Sequence, residues 1–464
     1  MKGFWKKPLI FLFSLTCFFK VNAQVQHSHN FSLYDLVQHA VKYSPVLKSK
    51  QASINASMAD KQSVKDEFIP TAVVGDEVIV GTDNSLPGAY LSRGIIPSAS
   101  AGIHPSNNWQ PATGNFAVLS SEYEIASFGY KNARLKNAQA AINVSEDDKR
   151  REIYLMKWRL SKLYFTLRKQ QLQVAIEAQN VNRYEELFKI IRGITLSGLK
   201  AGADSSQALA ELSRTKIDYN NAVKETQLVK QEIAYLTGIS LDSIEADTTE
   251  TAHQIAVMKI MGNLSDTAKN PLLDYFKTKQ LLYQSNADVI SKSYRPHLML
   301  NGTVWARGSS IDYNSSYKSL ADGLGYQRYN YLAGISLFYN LTGLVQKRDK
   351  LASNNQKIIA AQFDVQHQQQ TLDNVNKQAD RILDMAAADL KEIPVQLRAA
   401  TDALNQKTAQ YKAGIINLVD LTNANYVLYR AQTDYAQVLN DWFLANVDKS
   451  AATGTLDLFI QSLN

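Results

Sequence analysis

One stretch of this chain is written twice. Gly198, Asp204, Ala208, Arg214, Asp218-Tyr219 and Thr237-Gly238 recur without a gap, 216 residues later, as Gly414, Asp420, Ala424, Arg430, Asp434-Tyr435 and Thr453-Gly454. The repeat extends upstream: Ser44-Pro45 precedes Pro70 by the spacing at which Asn270-Pro271 precedes Pro296, and Gly129, Arg134 and Ala138 match Gly343, Arg348 and Ala352. A match of this length in one register marks a tandem duplication. Whatever architecture one half adopts, the other half must adopt too.

The repeated unit is mostly helical. No proline falls between Pro111 and Pro271, and after Pro296 only Pro394 remains, so long helices are expected there. From Ile153, apolar residues step by three and four through Met156, Leu160, Leu163, Leu167, Val174, Val181, Tyr184, Phe188 and Ile191, a heptad seam interrupted by Gln170 and Glu177. A second seam runs through Ile358, Val365, Leu372, Val375, Ala379 and Ile382 and weakens near Pro394. A helix over residues 130–197 would be roughly 100 Å long. The molecule is therefore expected to be elongated.

Strands are the minority element. Helical patterns stop at Pro70 and Pro296, the two expected helix-to-strand junctions, and alternating patterns follow. Leu298, Leu300 and Val304 alternate with Met299, Asn301, Thr303 and Trp305; Tyr331, Ala333, Ile335, Leu337 and Tyr339 alternate with Leu332, Gly334, Ser336 and Phe338. In the first half, TAVVGDEVIVG and NFAVLSSEYEIA take the corresponding places with poorer alternation. About ten residues suffice for a tilted strand to cross a bilayer. Residues 82–114 and 308–330, rich in Gly, Pro, Ser, Asn and Tyr, read as surface loops.

Residues 1–23 have the pattern of a secretory signal peptide: Lys2, Lys6 and Lys7, an apolar run from Leu9 to Phe19, then Val21-Asn22-Ala23. The only cysteine, Cys17, lies within it and follows Thr16 rather than the small residue of a lipid-attachment signal, so neither lipidation nor a disulfide is expected. Without Lys2, Lys6, Lys7 and Lys20 the formal charge falls from +7 to +3, which argues against a nucleic-acid partner. No later apolar run is long enough for a transmembrane helix. Entry into a membrane would have to be by β-strands.

Each half supplies two strands, and the resulting four cannot close a barrel. An open edge in lipid strands backbone groups at several kcal/mol each, so several chains must share one barrel. Three copies supply twelve strands, within the range of outer-membrane barrels. Residues 24–238 are then expected to form the first structural repeat, 239–266 an inter-repeat linker, and 267–464 the second repeat.

These features together resemble the TolC-like outer-membrane efflux proteins, the outer membrane factors, over essentially the whole mature chain. FSLYDLVQHAVKYSP resembles the family's N-terminal helix, EFIP and SYRP its helix-to-strand junctions, and YEIASFGYKNARLKNAQ its strand-to-helix return, with Gly129 and Gly343 at the two returns. SGLKAGADSSQA and YKAGIINLVDLTNA resemble its two periplasmic turns. The resemblance implies a mainly α-helical homotrimer: a twelve-stranded transmembrane β-barrel, four strands per chain, in outer-membrane lipid, continued by a long α-helical periplasmic tunnel. It also implies partners, a periplasmic adaptor protein and an inner-membrane pump, and a tunnel tip that closes by inward coiling.

Both tip motifs place glycine six residues before aspartate, Gly198 to Asp204 and Gly414 to Asp420, which suits a tight turn followed by a helix start. By resemblance Asp420 belongs to an acidic ring at the constriction, with Asn423 where a second acid can occur. Asp204 and Tyr411 match a pair linking neighbouring helices, but Ile416 occupies the position of the arginine that completes that clasp. The turns carrying Gly198, Leu199 and Lys200, and Lys412 and Gly414, would meet the adaptor.

Nothing assembles a nucleophile motif, a phosphate-cradling loop or a paired-cysteine site, so neither an enzyme nor a cofactor is expected. His27 and His29 fall short of the three or four ligands of a defined metal site. The competing readings are a periplasmic adaptor and a coiled-coil scaffold. The duplicated strand pairs speak against both.

Overall fold

A computed structural model describes residues 30–86, 102–197, 202–246 and 269–463; the signal pattern, residues 198–201 and most of the linker lie outside them. The two halves start alike. Helix α1 (Leu33–Tyr43) opens on a capping box between Ser32 and Asp35 and buries Leu33, Leu36, Val37 and Ala40. Helix α2 (Pro45–Asp66) follows, with the Ser44 side chain accepting from Leu47 N and Pro45 in the first turn. The second half repeats the device at α5 (Pro271–Ser293), where Asn270 accepts from Leu272 N. A cap oxygen followed by a pre-set φ is an efficient helix start.

Both helices end shortly before a proline. After α2 and Pro70 comes β2 (Thr71–Gly81); after α5 and Pro296 comes β7 (His297–Ser309). Proline disfavours helical backbone in the residue before it, which forces the change to extended chain. With β5 (Ala112–Ala126) and β8 (Arg328–Phe338) these strands form one antiparallel sheet in the order β2-β5-β7-β8, with β2 and β8 as its edges. The poorly alternating first-half segments are strands after all, and β5 begins three residues before the expected Asn115.

Register explains the alternation. Val74, Leu119, Val304 and Tyr331 stand in one row across all four strands, and Leu300 opposes Ile335 and Leu298 opposes Leu337 on the same face. The other face carries the row Glu77, Phe116, Arg307 and Arg328, together with Glu122, Asn301 and Thr303. Val74 is 81 % and Tyr331 84 % exposed, so the apolar face is uncovered. Two of its polar members near one end are sequestered: Asn115 donates to Leu324 O at 2.8 Å and Thr113 to Leu320 O. The loop expected at residues 308–330 supplies these partners and includes a short 3-10 helix, Leu320–Leu324.

The helices α3 (Tyr130–Leu196) and α6 (Gly343–Lys412) contain 67 and 70 residues, which corresponds to roughly 100 Å each. α3 packs on α2 and α5 over its first part; beyond it, α4 (Gly202–Thr237) and α7 (Leu418–Thr453) run back along α3 and α6 as two hairpins. The α6 seam is a strict seven-residue stripe of Leu372, Ala379, Ala386, Ile393 and Ala400. Ile382, expected on that seam, is 43 % exposed. α6 passes through Pro394 unbroken.

The main core lies at mid-length, where α1, α3, the ends of α4 and α7, and α8 (Leu456–Gln461) converge on Leu160, Phe165, Leu167, Ile233, Phe443 and Phe459. The linker adds β6 (Glu245–Ala246), which pairs in parallel with β1 (Asn30–Phe31), and within the expected loop 82–114 two short strands, β3 (Ser85–Leu86) and β4 (Gly102–Ile103), pair antiparallel.

Candidate functional site: the tip of the helical hairpins

The turn from α6 to α7 is built by its own sequence. Gly414 has φ +74°, Ile415 N donates to Gln410 O at 2.9 Å and Gly414 N to Tyr411 O at 3.0 Å, the two bonds that satisfy the last carbonyls of a helix ending in a left-handed residue. Asn417 then caps α7, accepting from Asp420 N at 2.9 Å. Asp420 is the third residue of α7, as Asp204 is of α4. Both carboxylates lie in a first turn, where the helix dipole favours negative charge.

Beneath the turns lies a compact apolar cluster. Ile191 of α3, Ala208 of α4, Tyr411 of α6 and Leu418 and Leu421 of α7 are buried together, with Phe188, Leu404 and Ile416 packed against them. Ile416 is thus an apolar contributor at the position where the resemblance expects an arginine. Tyr411 is 2 % exposed. Burial, and then the nearby Asp204 charge, raises its phenol above the ordinary tyrosine range. Asp204 on one hairpin is thus near enough to Tyr411 on the other for its charge to be felt there. Asp420, Asn423 and Lys412 are exposed, with Asn423 one turn after Asp420. Gly198, Leu199 and Lys200 lie outside the described residues.

The junctions at the opposite end use equivalent glycines differently. Gly129 has φ +91° and follows Phe128 at φ 44°, whose carbonyl accepts from Arg295 at 2.7 Å. At Gly343 the constraint is space: a Cβ there would meet the Tyr294 ring at 2.8 Å. Below the sheet, His297 of β7 lies 2.5 Å from Glu124 of β5.

The buried contact between the hairpins, α3 against α7, was not anticipated as a site. Glu177, Asn180 and Asn425 are 3 %, 5 % and 3 % exposed there. The interruption of the seam at Glu177 was the sequence signal.

Among the described residues no group of three or more His, Cys, Asp or Glu could hold a metal ion. No described helix is long and apolar enough to cross a membrane.

No protein-family model and no curated protein matches the sequence. Solved structures do match its fold. The outer-membrane channel OprN superimposes with a TM-score of 0.70 at 17 % identity, over 91 % of this chain and 90 % of that one. The outer-membrane protein VceC of Vibrio cholerae does so at 0.70 and 13 % identity, over 91 % and 96 %. The CmeC outer-membrane channel of Campylobacter jejuni gives 0.69 at 14 % identity, over 93 % and 90 %. The fold is that of these proteins.

Proposed function

We propose that this chain is one third of an outer-membrane efflux channel, a passive exit duct running from the periplasm to the exterior. The observation that carries the reading is the sheet: four strands with one apolar face, two edges, and two roughly 100 Å helices leaving its base. An edge in lipid leaves N–H and C=O groups unpaired, at several kcal/mol each. Pairing β8 of one copy with β2 of the next satisfies them, and three copies close twelve strands into a barrel wide enough for a lumen. The face with Glu77, Glu122, Arg307 and Arg328 then lines the water-filled interior.

The hairpin tips are the gated end in this reading. Asp420 and Asn423, exposed on one turn of α7, form a constriction around the three-fold axis, where three carboxylates attract cations. Asp204 near Tyr411 holds the hairpins together in the resting state, without an arginine. The segment 198–200 and the turn at 412–414 meet a periplasmic adaptor, which joins the duct to an inner-membrane pump. Residues 1–23 direct export, and residues 24–238 and 267–464 are the two repeats. The pump does the chemistry, and the duct itself is not an enzyme.

Planar-bilayer conductance of the purified protein tests the reading. A detergent-stable trimer that forms pores, blocked by multivalent cations less strongly after Asp420→Ala, is the expected result. Pores unaffected by the substitution would remove Asp420 from the constriction. A folded protein without pores would overturn the conduit in favour of an adaptor or scaffold.

A further inference from the structure

The α3–α7 contact between the hairpins is apolar at both ends. Near the tip Ile191 packs with Leu418 and Leu421; towards the waist Phe165 packs with Leu439 and Phe443. Between these blocks lies a polar layer, buried at Glu177, Asn180 and Asn425 and half-buried at Arg183 and Tyr429. The Tyr429 hydroxyl donates to Glu177 Oε1 at 2.7 Å, and Gln173 donates to the same oxygen at 2.7 Å. Arg183 Nε donates to Asn425 Oδ1 at 2.9 Å, and its Nη2 donates to Asn180 at 3.2 Å and Gln432 at 3.3 Å. Asn425 in turn donates to Asn180 Oδ1 at 3.2 Å.

This arrangement is poorly suited to maximising stability. Burial holds Arg183 below its ordinary range, and burial followed by the Glu177 interaction raises the Tyr429 phenol. Glu177 Oε2 is buried with no hydrogen-bond partner. Apolar residues of similar volume would often hold such a contact at least as well, because desolvating charged groups offsets their attraction. What directional bonds add is register: an apolar helix face slides by a turn at little cost, while these donors and acceptors meet in one alignment. The buried stripe of the α6–α7 hairpin is instead built on small apolar residues such as Ala379, Ala386, Ala400 and Ala431.

We propose that the Glu177–Tyr429 and Arg183–Asn425 contacts are a register lock between the two hairpins, which sets the resting position of α7 at the tip from about 20 Å away along α3. The effect on conduction rests on the channel reading. The lock itself does not.

The test is hydrogen exchange and conductance of the full-length protein, with Tyr429→Phe and the double variant Glu177→Gln, Tyr429→Phe. Tyr429→Phe leaves a buried carboxylate short of a donor. It is expected to raise amide exchange tenfold or more over residues 418–428, to leave β5 and β7 unchanged, and to raise conductance. The double variant removes the stranded charge but still lacks the bond, so its exchange over residues 418–428 is expected to stay above the parent; a return to the parent value would assign the change to the buried charge and overturn the lock. Exchange and conductance equal to the parent in Tyr429→Phe would overturn the lock. Should that variant lose protection in β5 and β7 as well, Arg183→Gln is read by the same criteria. A folded parent without pores would remove the channel reading, and exchange alone would then decide the lock.

Discussion

Phe165 and Phe443 stack face to face, ring centroids 4.6 Å apart and 8° from parallel, although 278 residues separate them in the chain. Arg168 lies over the Phe443 ring at 5.0 Å. The pair ties the first long helix to the last one at the waist. Phe443→Ala is expected to cost about 3–5 kcal/mol, since it removes a buried ring and leaves a cavity between rigid helices. Chemical denaturation followed by circular dichroism measures this; a loss below about 1 kcal/mol would mean that the waist collapses around the gap.

Two equivalent glycines should fail in different ways. Gly129→Ala meets Lys292 and Arg295 only at ordinary van der Waals distance but must keep φ +91°, at a cost of about 1–2 kcal/mol. Gly343→Ala is opposed by the Tyr294 ring at 2.8 Å. Adding Tyr294→Ala is therefore expected to relieve Gly343→Ala and not Gly129→Ala, read as the additivity of melting shifts.

Adjacent residues of β8 should tolerate charge unequally. Ile335 lies on the apolar face and Ser336 on the opposite one. In the channel reading Ile335→Lys costs about 2–4 kcal/mol of membrane insertion near the bilayer centre, while Ser336→Lys points to the lumen. Folding yields into lipid vesicles compare the two. Equal yields would argue that the sheet does not face lipid.

Tyr411 couples the tip to alkaline pH. Its folded phenol holds its proton more tightly than the unfolded one, so its contribution is complete below about pH 10 and is lost as pH rises through the raised folded value. Asp204→Asn removes one cause of the elevation and should bring the tyrosinate transition down. The ultraviolet titration difference against Tyr411→Phe isolates this group. A transition that does not move would separate Asp204 from Tyr411.

The pattern of repeats, prolines and periods was enough to read the order of elements. Ser44-Pro45 and Asn270-Pro271 start helices because a cap oxygen and a fixed φ act locally, and Pro70 and Pro296 end them for an equally local reason. The apolar alternation of β7 and β8 was legible because a strand's side chains have period two whatever it pairs with. The β5 start at Ala112 was less legible, since Ala112, Thr113 and Gly114 alternate weakly.

The sequence by itself determined the duplication, the long helices, the strand pairs and the turn at Gly414, all of which follow from chemistry within a few neighbouring residues. Only the tertiary structure decided which polar residues are buried and against what. Glu177 was visible as a break in a seam, but its partner Tyr429 lies 252 residues away. Nothing local distinguishes Gly129, held by its backbone angle, from Gly343, held by the Tyr294 ring just past the end of α5. Contacts between distant segments depend on how the whole chain closes, and no periodicity in either segment encodes that.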